Sequence, residues 1–218
     1  MTPRSPLLQI RQLDFAHPAE GRQSPVPVFS QLSASLAPGV SWVGGGESRG
    51  KTTLLRLLAG ELQPQAGALQ LGALPWSAPQ AAPAAWRSQV AWFPNGLAGQ
   101  DALRPAACFD QARQRHPRFS DDALADLIEG LDLAQHLDKS LYMLSTGTRR
   151  KVWLAATLAS GTPLTLMDEP FAALDRGSID FLRELLREAA QHTERAWVIA
   201  AYSAPAGVPL SGQLDLGD

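Results

Sequence analysis

The sequence predicts an α/β fold with a mostly parallel central sheet, a small antiparallel β part at the N-terminal end and a helical insertion. Three observations predict it. A glycine-rich stretch at residues 44–53, Gly-Gly-Gly-Glu-Ser-Arg-Gly-Lys-Thr-Thr, stands between a short apolar strand and a helix. A second apolar run, Leu164-Thr165-Leu166-Met167, ends in the paired acids Asp168-Glu169. From residue 146 onward helical and strand patterns alternate, as strands joined by helical crossovers require.

The elements follow in order. Leu7 to Phe15 alternates as a strand, and Val26 to Leu36 can return beside it after the polar, proline-containing stretch 17–25. Val40-Ser41-Trp42-Val43 is a short buried strand, and Thr53 to Ala59 is a helix closed by Gly60. Ala68 to Leu71 is a strand after the turn at Pro64-Gln65-Ala66-Gly67, and residues 73–86, rich in Ala and Pro, read as an irregular loop. Val90-Ala91-Trp92-Phe93 is a buried strand stopped by Pro94. Pro105 to His116 and Ser120 to Leu131 are two amphipathic helices, the second capped by Ser120 with Asp121 and Asp122 in its first turn. Helix 146–160, helix 176–191 and strand Ala196 to Ala201 complete the set, with Gln213 to Leu216 as a short last strand.

At 218 residues the chain is expected to form a single domain, 1–218, with 100–145 as a helical subdomain. A net charge of −2 gives no electrostatic reason to bind nucleic acid. The single cysteine, Cys108, excludes an internal disulfide and is expected to be inert. The N-terminal residues lack the basic-then-apolar pattern of a secretory leader, and no run of about 18 apolar residues could cross a bilayer.

Gly45 to Thr52 fits the phosphate-loop pattern G-x-x-x-x-G-K-[ST]. Backbone N–H groups of such a loop wrap phosphate oxygens, the lysine reaches the outer phosphates, and the following hydroxyl ligates Mg²⁺. The chain has only three lysines, Lys51, Lys139 and Lys151, and one stands here. A Gly-rich turn with a surface lysine is the plainer alternative. An acid at the carboxyl end of a parallel strand lies beside the phosphate loop, where Asp168 can hold Mg²⁺ through water and Glu169 can polarise the attacking water. The plainer alternative there is a helix-capping turn.

Two further motifs extend the set: Leu144-Ser145-Thr146-Gly147 upstream of the acids, and Ala173-Leu174-Asp175 after Asp168-Glu169-Pro170. In this order and spacing, the four motifs resemble the ATP-binding cassette (ABC) ATPases, a group of P-loop NTPases, over essentially the whole chain. The resemblance implies residue roles. Gly45, Gly46, Ser48, Gly50, Lys51, Thr52 and Thr53 would hold the ATP phosphates, with Thr52, Asp168 and Asn95 around Mg²⁺. Phe15 matches the aromatic that stacks on adenine, or is a strand-core residue. Glu169 matches the catalytic base. Ser145 and Gly147 match the signature that contacts ATP bound by a second cassette, although Ser145 is also an ordinary N-cap. Asn95, Asp175 and Tyr202 fall at switch positions. Arg149-Arg150-Lys151 tempts a nucleic-acid reading but is expected to be a solvated helix face.

Four departures from the family pattern are expected to slow hydrolysis. Ser48 stands where glycine is usual, between Glu47 and Arg49. The signature reads Ser-Thr-Gly-Thr, and Asn95 replaces a glutamine, within an Asn-Gly pair that is also a plain turn signal. Tyr202 stands at the strand end where a histidine is expected, and a phenol cannot become a cation near neutral pH.

The function implied is an ATPase subunit that is cytoplasmic and peripheral on the inner face of the cell membrane. It would drive a separate membrane-spanning subunit by ATP-dependent pairing with a second cassette, of the same chain or another. The alternative is an ATP-binding regulatory cassette with little hydrolysis; a small-molecule kinase is a more distant one.

Overall fold

The computed structural model describes residues 5–18, 26–96 and 102–217. Most of the 17–25 stretch and the first two residues of the helical insertion lie outside these. Five strands form a wholly parallel sheet: β3 (Gly39–Gly44), β6 (Val90–Phe93), β7 (Leu164–Asp168), β8 (Ala196–Ala200) and β9 (Gly212–Asp215), in the order β6-β7-β8-β3-β9. Four more form an antiparallel sheet, β1 (Leu8–His17), β2 (Val26–Leu36), β4 (Ala66–Leu71) and β5 (Leu74–Ser77), in the order β2-β1-β4-β5.

Strands β6, β7 and β8 read as nearly continuous apolar runs because both their faces are covered. Along β8, Ala196, Val198 and Ala200 join a core shared with α1 (Lys51–Ala59) and the antiparallel sheet. Trp197 and Ile199, of opposite parity, join a second core under the helices. Those helices are α3 (Pro105–Arg115), α4 (Asp121–Gly130), α5 (Thr146–Leu158) and α6 (Arg176–Ala189); a short α2 spans Ala84–Ser88.

Strand β1 does not alternate evenly. Leu8 and Ile10 face inward, then Leu13 and Phe15 do, with Gln12 at φ 48° and a register shift between Ile10 and Leu13. One extra residue flips the side-chain parity of everything after it.

The loop expected at 73–86 contains β5 and α2 instead. Pro75 is tolerated because β5 is the edge of its sheet, where no partner needs the missing N–H. The buried rings of Trp76 and Trp86 pack edge to face with centroids 5.4 Å apart, which fixes both short elements.

Register places the site. Ala200 of β8 pairs with Val43 on one side and Asp168 on the other. The loop after β3 and the acids after β7 therefore open at the same end of the sheet, at the crevice where parallel sheets bind ligands.

Candidate active site

The loop 45–50 turns sharply between β3 and α1. Gly45 has φ 137° and Gly50 φ 89°; a Cβ on Gly50 would stand 2.6 Å from Val28 and 2.9 Å from the Phe29 ring. Ser48 also lies in the left-handed region, at φ 60°, where a side chain is disfavoured. Glu47, Ser48 and Arg49 are all exposed, so the acid points out of the loop.

Lys51 opens α1, and its ammonium donates to the carbonyls of Gly45 and Gly46, each at 2.7 Å. The cation is thus held over the loop by the loop's own backbone. No acid occupies the first turn of α1 and no side chain caps it, leaving its N-terminal donors suited to an anion.

The next residue, Thr52, donates its hydroxyl to Oδ2 of Asp168 at 2.6 Å. Asp168 is 2% exposed. Burial pushes its carboxyl upward, while the Thr52 hydroxyl and then the charges of Arg150 and Lys51 pull against that rise. A hydroxyl and a carboxylate are hard oxygen donors of the kind Mg²⁺ takes. Among the described residues no group of three His, Cys, Asp or Glu could hold a metal. This pair therefore suits an ion that keeps water and phosphate oxygens as its other ligands.

Glu169 adopts φ 47°, which turns its chain sharply after Asp168. Four hydrogen bonds hold it there. Its N–H donates to the Ala200 carbonyl at 2.9 Å, its own carbonyl accepts from Arg150 at 2.6 Å and from the Ala172 N–H at 3.1 Å, and Oε1 accepts the backbone N–H of Tyr202 at 3.1 Å. Strain held in this way is typical of functional sites. The Tyr202 side chain is 79% exposed.

Three expectations need correction. Phe15 is 6% exposed and belongs to the core below the antiparallel sheet, so it offers no face to a base. The exposed ring at that strand end is His17, whose Nε2 lies 3.4 Å from Thr53 Oγ1 and whose ring meets Phe15 edge-on at 5.2 Å. Pro18, which closes the strand, is the signal that marks His17 as its outer end. Secondly, the Arg149-Arg150-Lys151 cluster is not a solvated face. Arg150 is 5% exposed and Lys151 is buried against Asp175, with Nζ 2.5 Å from Oδ2. Thirdly, Asn95 Oδ1 accepts from Arg150 Nη1 at 3.3 Å, so a place beside Mg²⁺ requires that contact to break.

The remaining positions have local work inside the chain. Ser145 caps α5, accepting the Thr148 N–H at 3.1 Å. A Cβ on Gly147 would stand 2.4 Å from the Ala173 carbonyl, so the Ala173-Leu174-Asp175 turn rests on the start of α5. Asp175 caps α6 through the Ser178 N–H at 3.0 Å, and Lys151 first, then this N–H, holds its carboxyl well below the usual range.

A phosphate loop, a strand-end Asp paired with the loop's Thr, and an adjacent Glu define the ATPase class of P-loop proteins. Comparison with known proteins gives the family. The ABC transporter family model matches residues 29–172. The chain is 36% identical over 195 residues to the cytochrome c biogenesis ATP-binding export protein CcmA of Pseudomonas syringae pv. syringae, covering 88% of this chain and 86% of that one. It is 32% identical over 212 residues to the taurine import ATP-binding protein TauB of Pseudomonas entomophila, covering 96% and 78%. A dimeric ATP-binding cassette in a post-hydrolysis state bound to ADP and Pi superposes with a TM-score of 0.75 at 15% identity, over 90% and 88% of the two chains. The chain belongs to the ABC transporter family, as an ATP-binding and ATP-hydrolysing subunit.

Proposed function

We propose that this subunit hydrolyses Mg-ATP slowly, sandwiched head to tail with a second cassette, and so drives a separate membrane-spanning partner from the cytoplasmic face. The Thr52–Asp168 contact at the mouth of the phosphate loop, with Glu169 as the next residue, is the observation that carries this reading. Mg²⁺, when bound, supplies charge neutralisation for the phosphates. Lys51 and the N-terminal donors of α1 orient the triphosphate, Thr52 and Asp168 hold the ion, and the Glu169 carboxylate takes the proton of the attacking water. The exposed His17 ring, beside Thr53, is the aromatic offered to adenine.

The partner reading rests on the relatives, whose names carry export in one case and import in the other. Direction and cargo would then reside in the membrane subunit. No described helix is long and apolar enough to cross a membrane. Ser145 and Thr146, at the start of α5, are exposed, as a contact to nucleotide on a second cassette requires. The regulatory-cassette reading is not favoured, because Glu169, Asp168 and Lys51 stand together.

Light scattering tests the sandwich. With Glu169→Gln blocking turnover, ATP and Mg²⁺ should convert the monomer to a dimer, alone or with a second cassette; failure with both removes it.

A further inference from the structure

Arg150 lies on α5, five residues beyond Ser145, and its guanidinium is enclosed. Burial of a cation is costly unless its donors are satisfied. Here the two terminal nitrogens are spent mainly on backbone, while the buried Nε has no partner among the described residues. One terminal nitrogen reaches the Asn95 carbonyl at 2.5 Å and Asn95 Oδ1 at 3.3 Å; the other reaches the Glu169 carbonyl at 2.6 Å. The guanidinium also covers the Phe93 ring, 4.8 Å from its centroid. All three contact residues lie at or just beyond the carboxyl ends of β6 and β7.

The bond to Glu169 has a particular consequence. The residue after Glu169 is Pro170, which has no N–H. The peptide joining them can be held only through its carbonyl oxygen, where Arg150 donates at 2.6 Å beside the Ala172 N–H at 3.1 Å. The preceding peptide is fixed by the Ala200 carbonyl, and the carboxylate by the Tyr202 N–H. Without Arg150 that carbonyl keeps only the Ala172 N–H, from within its own turn, and the left-handed turn at Glu169 loses its tie to α5.

We propose that Arg150 is a positioning residue for hydrolysis: its fork ties the helix that begins at the signature to the Asn95 loop and to the backbone of the catalytic base. The proposal rests on Glu169 being that base. Arg150 would act through Asn95 and Glu169, which accept its hydrogen bonds. Its planar fork spans two carbonyls at once, whereas lysine offers a single ammonium that satisfies one at a time. Arg150→Lys should therefore lie between the natural residue and Arg150→Gln. A base that drifts from hydrogen-bond reach lowers turnover and leaves ground-state binding alone.

The test is steady-state phosphate release by the full chain carrying Arg150→Lys or Arg150→Gln, beside Glu169→Gln. Arg150→Gln should lower kcat at least about tenfold, with Arg150→Lys intermediate and KM for ATP within about threefold in both. Should Arg150→Gln fail to fold, the kcat–KM split in Arg150→Lys decides. Unchanged kcat in the folded variants, or KM and kcat shifting together, overturns the proposal while an inactive Glu169→Gln keeps the base in place. A fully active Glu169→Gln overturns the base assignment itself, and the positioning role with it.

Discussion

Oε1 of Glu169 accepts the backbone N–H of Tyr202 at 3.1 Å, so the end of β8 holds the acid at the end of β7 through main chain alone. The bond is indifferent to the side chain at 202, provided that residue is not proline. The phenol, 79% exposed, is free to be exchanged without disturbing the core.

Replacement of Tyr202 by histidine should consequently raise phosphate release while leaving Glu169 in place. An imidazole can carry charge toward the γ-phosphate where the phenol offers one neutral donor. Better stabilisation of the developing charge by about 1.4–3 kcal/mol corresponds to a rate ten- to over a hundredfold higher. An unchanged rate would remove Tyr202 as a cause of slow turnover.

Ser48 pays for its left-handed backbone at φ 60°. Ser48→Gly relieves about 1 kcal/mol of steric strain, part of which is returned as backbone entropy. Thermal unfolding should shift upward by up to about 2–4 °C in a chain this size. Ser48→Val should lower it. Equal melting temperatures for the three would show that the loop relaxes without strain.

Asp168 is buried with its carboxyl pushed upward, so its charged form is less favoured in the folded than in the unfolded chain. For a raised carboxyl the fold loses stability as pH climbs from the ordinary Asp value near 3.9 through the folded one. Asp168→Asn, which can still accept from Thr52, should melt higher than the natural chain at pH 7 without nucleotide. The gap should narrow as pH falls toward about 4. If Asp168 holds Mg²⁺ as proposed, hydrolysis should fall at least about tenfold. A variant that melts lower at pH 7 would contradict the burial argument.

Much of this arrangement is legible in the sequence because it is local. Strand β6 occupies Val90–Phe93 as its apolar run and Pro94 dictate, and Ser120 caps α4 as its position before two acids implies. Phosphate loop and acids meet because apolar strands bring both to one sheet end. What is not legible is non-local or depends on a single inserted residue. The bulge at Gln12 sends Phe15 inward, and nothing in the alternation before it announces the change. Arg150 sits in a run of three cations that looks solvated, yet carbonyls from Asn95 and Glu169, 55 and 19 residues away, accept its donors. Strand β5 and helix α2 are four and five residues long, too short for a period to show.

Phosphate release from Mg-ATP by the natural chain and by Glu169→Gln tests the central claim most directly. Slow, Mg²⁺-dependent release that Glu169→Gln abolishes is the predicted result, since the carboxylate is the only part of the base that the substitution removes. Release that persists unchanged in Glu169→Gln, or none from the natural chain with Mg-ATP bound, would contradict it.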